Sequence, residues 1–474
     1  MKASVLLLLC LLSVAPFASC CDAQRREDPI IAELKRQLYD KDQNIRPLLH
    51  YPQSVMRFYR LNDQTPVWLS ASGQQAAGQA MLLVDCVLQY GLSPKDYHTR
   101  ELSYEVLQSL SEKPDTLSLA TKIRFEVMLT DAMITLVNNL HFGKLNPDYS
   151  QSRIDAAMNM PFHADDIVAK ALNAKQFDEA ILKVQPNSKE YNDLQYWMHL
   201  WKGQYTGDCY EVPDSDVRRV AVNMERLRWA EINDSAAYLH INIPSYTLKY
   251  HLPDTDRFFK VIVGKPATPT PTLQSQVVYF TTAPDWVVPH KILVNEILPK
   301  ALNNPDYLDQ NKFGIYDRNG LVDRPDKFAI QQIQKSPLGY YAKQSSGCDN
   351  ALGKLVFRFQ NMFDVYLHDT PEQQLFGNDR RAFSHGCIRV QNAAQLAELL
   401  LTNDGSAKRI PQLKKDLAKE KKENFVLNHS VPVKVTYLTC EMKEGYLINY
   451  PDIYSLDAAL IASFYDDVRL LTMK

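Results

Sequence analysis

The spacing of apolar residues changes from a helical to a strand-like period near residue 216, and this change divides the chain into two parts. Between about residues 26 and 205, apolar side chains recur at three- and four-residue intervals, as in "LATKIRFEVMLTDAMITLVNNLHFGKL", which is typical of amphipathic helices. From about 216 to 450 they alternate with polar residues, as in "RFFKVIVGK", which is typical of strands. We therefore predict a multidomain α+β protein in which a mainly helical domain precedes a β-rich domain.

The length of 474 residues agrees with this division, because it is too great for one ordinary domain. A polar segment with proline and tyrosine, from about 300 to 346, interrupts the strand pattern and is typical of an inserted lid or binding loop. The predicted organisation is a signal at 1–23, a helical domain at 24–215, a β-rich domain at 216–450 that includes the lid, and a tail at 451–474 packed on the β-rich domain.

The composition supports globular cores and argues against one class of partner. Hydrophobic residues make up 45% of the chain, so both domains can bury a core. The 53 Lys and Arg residues are balanced by 55 Asp and Glu residues, and the formal charge of -2 implies no basic face. We therefore do not expect a nucleic acid partner.

The N-terminus has the pattern of an export signal. Lys2 precedes the apolar stretch "SVLLLLCLLSVAPFASCC", and Asp22 ends this stretch before it is long enough to span a bilayer. Two kinds of processing are open: plain cleavage after Ala23, or lipoprotein-type processing with a lipid anchor at Cys20 or Cys21. Both predict a location in the periplasm or cell envelope.

The cysteines beyond the signal are scattered and odd in number: Cys86, Cys209, Cys348, Cys387 and Cys440. They include no CxxC pair and do not form a disulfide framework for a chain of this size. An odd number of cysteines in an exported protein leaves at least one thiol unpaired. The candidate is Cys387.

Cys387 lies in "LHDTPEQQLFGNDRRAFSHGCIRV", which has the residue types of a nucleophilic site. His385 precedes the cysteine by two residues and His368 precedes it by 19. A cysteine nucleophile needs a base or an imidazolium to form the thiolate, a group that orients the base, and N–H donors for an oxyanion. The two histidines, with Gly386 in a tight turn, can supply these groups.

Three interpretations of this stretch are open from the residue types alone. His368, His385 and Cys387 are too few for a structural zinc site but sufficient for a three-ligand catalytic metal. A disulfide from Cys387 to Cys348 or Cys440 fits an oxidising compartment. A cysteine–histidine acyl-transfer site is favoured over both. We predict neither a metal nor a cofactor.

The same stretch resembles the catalytic signature of YkuD-type L,D-transpeptidases, in which some fifteen residues separate a histidine from Ser/Thr-His-Gly-Cys and an arginine follows. Here fifteen residues separate His368 from Ser384, and Arg389 follows "SHGC". The segments "GLSPKDYH" and "LTDAMITLVNNLHFGKLNP" resemble the helical scaffold domain of the large YcbB-type enzymes. The resemblance covers nearly the whole chain after the signal, and it implies a scaffold domain followed by a catalytic domain.

The resemblance implies a role for the central residues of the stretch. Cys387 would be the thiolate that attacks the amide between residues three and four of a peptidoglycan tetrapeptide stem and expels D-alanine. His368 would be the general acid and base, oriented by the carbonyl of Asp369. The N–H groups of Gly386 and Cys387 would form the oxyanion hole, and His385 is expected to shape the turn.

Three further residues are expected near the substrate. Ser384 would supply a hydroxyl, and Arg389 and Tyr366 would contact the carboxylates and backbone of the stem. For Tyr366, a packing role is equally open. Aromatic side chains in and beside the lid are candidates either for the cleft or for packing: Trp286, Tyr340 and Tyr341.

The implied reaction ends when the side-chain amine of a diamino acid on a second stem resolves the acyl-enzyme and forms a 3→3 cross-link. Water as acceptor would make the site an L,D-carboxypeptidase, and a protein acceptor would attach an envelope protein to peptidoglycan. A non-catalytic envelope scaffold and a cysteine peptidase of another fold are the remaining alternatives. The expected partners are donor and acceptor stems, with other cell-wall synthesis proteins on the helical domain, and carbapenems are expected to acylate the site.

The chain departs from the large enzymes in one respect. These enzymes often carry a small peptidoglycan-binding module between the scaffold and catalytic domains. The connecting segment "WMHLWKGQYTGDCYEVPDSDVRRVAVNMERLRW" is too short to hold such a module. Substrate recognition is therefore expected to depend on the cleft and the inserted segment.

Overall fold

The computed structural model describes residues 28–40, 45–70, 73–202, 214–232, 234, 236–304, 306–347 and 349–465. Several predictions concern residues outside these ranges, namely the signal at 1–23 with Cys20 and Cys21, Cys209, Cys348 and the end of the tail. None of the helices in the described part of the chain has the length and apolar character needed to cross a membrane.

The N-terminal part of the described chain is helical, as predicted. Its helices are α1 Pro29–Tyr39, α2 Pro52–Leu61, α3 Gly73–Asp85, α4 Tyr104–Glu112, α5 Leu119–His141, α6 Gln151–Ala156, α7 Ala164–Ala171, α8 Phe177–Leu182, α9 Lys189–Lys202 and α10 Asp214–Ala230. The long helix α5 is buried along most of its length and forms the centre of the hydrophobic core. Its first turn is capped by Ser118, whose hydroxyl accepts the Thr121 N–H.

The helical part extends beyond the predicted boundary at residue 215. Helix α10 packs against α9 and also against Tyr238, Leu438 and Cys440 of the β-rich domain in one apolar cluster. The first strand begins only at Tyr238. Helix α10 therefore joins the cores of the two domains.

The strands of the β-rich domain form one large sheet and two small ones. They are β1 Tyr238–Asn242, β2 Thr247–Leu252, β3 Thr255–Gly264, β4 Leu273–Thr282, β5 Trp286–Val288, β6 Phe313–Asp317, β7 Gly320–Val322, β8 Tyr341–Gln344, β9 Leu355–Phe359, β10 Leu367–His368, β11 Ala382–Ser384, β12 Ile388–Val390, β13 Glu423–Thr436, β14 Cys440–Lys443 and β15 Tyr446–Asn449. The large sheet has the order β11-β3-β12-β10-β9-β4-β13-β1-β2. Because β2 also pairs with β3, this sheet closes on itself.

The remaining helices lie among and after these strands. They are α11 His290–Ile292, α12 Leu298–Asn303, α13 Tyr307–Gln310, α14 Lys327–Lys335, α15 Ala393–Asn403, α16 Ile410–Ala418 and α17 Asp457–Tyr465. Apolar side chains of α15 and α16, such as Leu396 and Leu413, pack with those of the closed sheet in one core.

The segment predicted as a polar lid at 300–346 is a folded unit that begins earlier in the chain. Strands β5 to β8 form a sheet in the order β5-β8-β6-β7, in which Trp286 pairs with Gln344. Side chains such as Leu293, Ile315 and Ile330 form a separate hydrophobic core between this sheet and its helices. We call residues 286–344 the inserted subdomain.

The tail contacts both domains. The Tyr454 hydroxyl donates to the Gly264 carbonyl of β3 at 2.6 Å. Farther along, Asp457 pairs with Arg226 of α10 at 2.5 Å, and Phe464 enters the core of the helical domain. The tail therefore links the two domains instead of packing on the β-rich domain alone.

Candidate active site

Cys387 lies in a tight turn between β11 and β12. The Ser384 hydroxyl accepts the Gly386 N–H at 3.1 Å and donates to the Cys387 carbonyl at 2.5 Å. The Thr270 hydroxyl donates to the Gly386 carbonyl at 2.7 Å. Gly386 has a φ of +121°, a conformation that glycine adopts far more readily than residues with a side chain. These contacts fix the cysteine at the edge of the closed sheet.

The two N–H groups predicted as an oxyanion hole have different environments. The N–H of Gly386 already donates to the Ser384 hydroxyl. The N–H of Cys387 has no hydrogen-bond acceptor among the described residues. Within the turn, the Cys387 N–H is therefore the donor that is free to meet an oxyanion, and the Gly386 N–H becomes free only if the serine hydroxyl moves.

Strand pairing brings His368 next to this turn. Strand β10 runs parallel to β12, with Leu367 opposite Ile388 and His368 opposite Arg389. The His368 side chain is buried, and its Nδ1–H donates to the Asp369 carbonyl at 2.5 Å, because a carbonyl oxygen can only accept. Nε2 is therefore the ring nitrogen left to take up a proton.

The Asp369 carboxylate holds the orienting carbonyl in place. It accepts the Lys354 N–H at 2.9 Å and the Gln373 side-chain amide at 3.0 Å. Gly353 lies so close that a Cβ there would be 2.6 Å from a carboxylate oxygen of Asp369. The carbonyl that orients His368 thus belongs to a loop fixed by its own hydrogen bonds and packing.

Burial favours the neutral forms of the cysteine and the histidine. It lowers the pKa of His368 to about 3; the charge of Arg389 acts in the same direction, and the hydrogen bond to Asp369 opposes it. Burial also raises the pKa of the Cys387 thiol, and the backbone N–H and hydroxyl of Tyr366 oppose that rise. The favoured resting state is therefore a thiol beside a neutral imidazole, not a thiolate–imidazolium pair.

The sulfur of Cys387 makes no hydrogen bond to either histidine in the described structure. Its S–H donates to the Asp364 carbonyl at 3.8 Å. Both Cys387 and Cys440 have free thiols, so the disulfide between them that the sequence left open is absent from this structure. The predicted proton transfer from Cys387 to His368 would therefore require the site to tighten around a substrate, as is common for catalytic hydrogen bonds.

His385 contacts the inserted subdomain. Its Nε2–H donates to the Glu296 carboxylate at 2.5 Å. Glu296 lies in a π-helical turn, Leu293–Ile297, and such turns are rare and frequent at functional sites. This ring nitrogen is therefore engaged with the subdomain, an arrangement that suits the shaping role predicted for His385.

The three residues predicted to contact substrate have different surroundings. Ser384 is buried, and its hydroxyl bonds lie within the turn. Arg389 forms an ion pair with Glu372. Tyr366 faces the Cys387 sulfur, and its ring packs edge-on to the His368 imidazole with 5.8 Å between ring centres. Of the three, Tyr366 is the residue that the structure brings to both catalytic candidates.

The predicted aromatic residues divide into two groups. Burial raises the pKa of Tyr366, and hydrogen bonding from the Trp286 indole to the Tyr366 hydroxyl opposes that rise. Tyr340 packs at the edge of the subdomain core, and Tyr341 stacks on Tyr316 with 5.2 Å between ring centres. Trp286 is therefore the member of this set that lies beside the cleft.

Arg358 lies beside the site but is not among the residues that the sequence predicts there. Its guanidinium lies 5.3 Å from the centre of the Tyr366 ring, and its charge opposes the burial that raises the pKa of Cys387. The signal was present in "VFRFQ", because Phe357 and Phe359 face the core and strand alternation places Arg358 on the other face.

One group in the described chain has the spacing to hold a metal ion, and it lies in the helical domain. His50, His98 and Asp131 offer ligand atoms within 4.8 Å of one another. The Asp131 carboxylate already accepts the N–H groups of His50 and Tyr51 at 2.9 Å and contacts His98 Nε2 at 2.6 Å. In the described structure, the residues around Cys387 do not form such a group.

Comparisons with known proteins agree with this architecture. Residues 53–198 match the scaffold domain family, and residues 236–413 match the L,D-transpeptidase catalytic domain family, YkuD. A protein of Haemophilus influenzae named "Putative L,D-transpeptidase" is 27% identical over 438 residues, which cover 90% of this chain and 81% of the relative.

Proposed function

Because this chain joins a scaffold domain to an L,D-transpeptidase catalytic domain, from a family that acts on peptidoglycan, we propose that it forms 3→3 cross-links between peptidoglycan stems. The proposed donor is a tetrapeptide stem and the proposed nucleophile is Cys387. The observation that carries the proposal is the hydrogen bond from His368 Nδ1–H to the Asp369 carbonyl beside the cysteine turn, because it leaves Nε2 as the base.

In the proposed first half-reaction, the Cys387 sulfur attacks the carbonyl carbon of the third stem residue while His368 Nε2 takes the thiol proton. The S–C bond forms, and the Cys387 N–H stabilises the oxyanion. His368 then gives the proton to the nitrogen of D-alanine as the C–N bond breaks, and a thioester remains. A neutral imidazole suits this step, since it can accept the proton directly.

In the proposed second half-reaction, the side-chain amine of a second stem attacks the thioester. His368 accepts a proton from the amine and returns it to the sulfur as the S–C bond breaks. The product is an amide between the third residues of two stems. Water as the attacking group would give L,D-carboxypeptidase activity, and a protein amine would attach an envelope protein.

The remaining parts of the proposal concern location and partners. Export through the signal at 1–23 would deliver the protein to the periplasm, either free or with a lipid anchor at Cys20 or Cys21. The helical domain would then be the surface for other cell-wall synthesis proteins. Carbapenem-type β-lactams would acylate Cys387, since they offer the same kind of carbonyl to the thiol.

The test is incubation of the purified protein with disaccharide-tetrapeptide, followed by mass spectrometry of the products. The wild type should release D-alanine and form 3→3 dimers, and Cys387→Ala should do neither. Cys86→Ala is the matched control, because Cys86 is also a partly buried free thiol. Tripeptide without dimers would favour the carboxypeptidase. Absence of any product from the wild type would favour a non-catalytic scaffold.

A further inference from the structure

A groove of about 1210 Å³ lies on the outer face of the closed sheet, next to the nucleophile. It covers the neighbouring strands β9, β4 and β13, and its lining includes Arg358 and Lys434. Asp364 and Tyr366 also line it. The Asp364 carbonyl accepts the Cys387 S–H at 3.8 Å, so one residue of the lining contacts the proposed nucleophile.

The groove has more positive than negative charge in the described structure. Arg358 and Lys434 are its cations, and Asp364 is the one acidic residue on the described lining. The Arg358 guanidinium packs over Tyr366, and no carboxylate of the described residues forms an ion pair with it. Lys434 donates to the side-chain amide of Gln274. A partly buried guanidinium commonly pairs with a carboxylate or phosphate, so this groove is suited to an anion.

The arginine that the sequence assigned to the carboxylates of the stem is engaged elsewhere. Arg389 pairs with Glu372, whereas Arg358 faces the groove. The charge of Arg358 also acts on Cys387, where it opposes the effect of burial on the thiol. Because Arg358 packs over Tyr366, whose ring lies edge-on to His368, an anion bound by Arg358 would lie at the catalytic end of the groove.

When the stems are of the diaminopimelate type, each nitrogen that reacts in the proposed cycle has a neighbouring carboxylate. The departing D-alanine carries its nitrogen and its carboxylate on one carbon. The acceptor amine of a diaminopimelate-type stem also shares its carbon with a carboxylate, whereas the side-chain amine of a lysine-type stem does not. A guanidinium can hold such a carboxylate through two parallel hydrogen bonds and thereby fix the position of the nitrogen.

We propose that Arg358 binds the carboxylate on the carbon that bears the reacting nitrogen, and that Lys434 adds positive charge to the same groove. This inference rests on the proposed function and extends it to substrate selection. The chain then selects acceptors with a carboxylate next to the amine, as in diaminopimelate-type stems. It also selects donors whose terminal D-alanine has a free carboxylate.

The experiment compares substrates that differ only in this carboxylate. In the acceptor arm, the acyl-enzyme that remains after the tetrapeptide has lost D-alanine is the donor, and the rate of transfer is measured with D-methionine and with D-methioninamide. In the donor arm, the rate of Cys387 acylation is measured with the tetrapeptide and with its C-terminal amide. In each arm, the preference for the carboxylate is the ratio of the rate with the carboxylate to the rate with the amide. Both rates are measured on the same protein preparation, so a partial loss of folded enzyme cancels in the ratio.

The variants are Arg358→Gln, Arg358→Lys and, as a matched control, Arg257→Gln at an exposed position of β3. Arg358→Gln should lower the preference for the carboxylate about 10- to 100-fold, the effect of losing a charge-assisted hydrogen bond. Arg358→Lys should keep part of the preference and Arg257→Gln all of it. A change in only one arm assigns the site to that substrate.

Unchanged ratios in both arms would overturn the role of Arg358. A second measurement, the mass of the Cys387 peptide after incubation with a carbapenem, separates failure of the carboxylate site from failure of the proposed function. If the wild type forms the adduct but the ratios do not depend on Arg358, only the carboxylate site is wrong. If the wild type forms no acyl-enzyme from either reagent, the proposed transpeptidase function is wrong as well.

Discussion

The imidazole Nδ1 of His368 and the carbonyl oxygen of Asp369 lie 2.5 Å apart at the end of β10, a strand paired on both sides within the closed sheet. The carbonyl fixes one proton on Nδ1, and burial opposes the addition of a second proton to the ring, with a pKa of about 3. The His368 imidazole is therefore neutral at any pH at which the protein is expected to work, as the proposed base must be, and its burial couples protonation to folding.

We predict that this coupling makes the protein less stable in mild acid. Burial lowers the pKa of His368 from 6.5 to about 3, so between these values the unfolded chain binds a proton that the folded chain does not. The free energy of unfolding therefore falls as the pH decreases below about 6.5, by up to about 1.4 kcal/mol per pH unit. Denaturant unfolding at pH 7 and pH 4.5 should show a smaller decrease for His368→Gln than for the wild type.

His240 is the internal control for this measurement. Burial lowers its pKa to about 4, and it contributes equally to both proteins. An equal loss of stability in the wild type and in His368→Gln would contradict the prediction.

We predict that Tyr366→Phe makes the Cys387 thiol less reactive. Burial raises the pKa of this thiol, and the Tyr366 hydroxyl opposes the rise, so its removal leaves less thiolate at a given pH. Alkylation of Cys387 by iodoacetamide at pH 8, followed by peptide mass spectrometry, should slow about threefold, the effect of one weak hydrogen bond. Tyr446→Phe, on the exposed strand β15, should leave the rate unchanged. Faster alkylation of Tyr366→Phe would contradict the role given to the hydroxyl.

The local parts of this site were predictable from the sequence. The alternation in "LVFRF" and "DVYLH" predicts a hairpin, and the structure pairs Phe357 with Leu367 across β9 and β10. The motif residues from Ser384 to Cys387 do form a turn between strands. These features depend on neighbouring residues, so a local pattern is sufficient to find them.

The parts that depend on distant residues were not predictable in this way. Strands β5 to β8 are short, and Trp286 of β5 pairs with Gln344, so no local alternation reveals the sheet of the inserted subdomain. The change in apolar spacing predicts a boundary at 215, whereas the helical part continues through α10 to Ala230. Because α10 packs on both domains, its apolar pattern does not assign it to either one. The pairing of Arg389 with Glu372 likewise depends on the loop between β10 and β11, and the sequence does not determine the path of that loop.

We predict that Gly386→Ala and Gly320→Ala cost similar stability but differ in activity. Their φ angles are +121° and +124°, and neither position has an atom close enough to clash with a Cβ. Each substitution should therefore lower the free energy of unfolding by about 1–3 kcal/mol through backbone strain alone. Only Gly386→Ala should also reduce acylation of Cys387 by a carbapenem, by about tenfold or more, because the strain is relieved within the cysteine turn. Equal acylation rates of the two variants would show that the turn tolerates the change.

We predict that Glu296→Gln slows acylation by the peptide donor with little effect on stability. The Glu296 carboxylate accepts the His385 N–H at 2.5 Å, and this contact ties the inserted subdomain to the residue before Gly386 and Cys387. Both side chains are about one-third exposed, at 34% and 35%, so the pair should contribute no more than about 1 kcal/mol to stability. The substitution should affect the acylation rate more than it affects stability, because a small displacement of a reacting group can lower a rate substantially.

The measurement that separates these effects compares two reagents on the same variant. Acylation of Cys387 by tetrapeptide should fall severalfold in Glu296→Gln, since the loss of the contact to His385 should displace the turn on which the donor is attacked. Alkylation by iodoacetamide needs no such positioning and should change less than about twofold. Asp309→Asn removes a carboxylate from an exposed position of the same subdomain and should leave both rates unchanged. If Glu296→Gln and Asp309→Asn acylate equally fast, the contact between Glu296 and His385 holds neither the turn nor the donor.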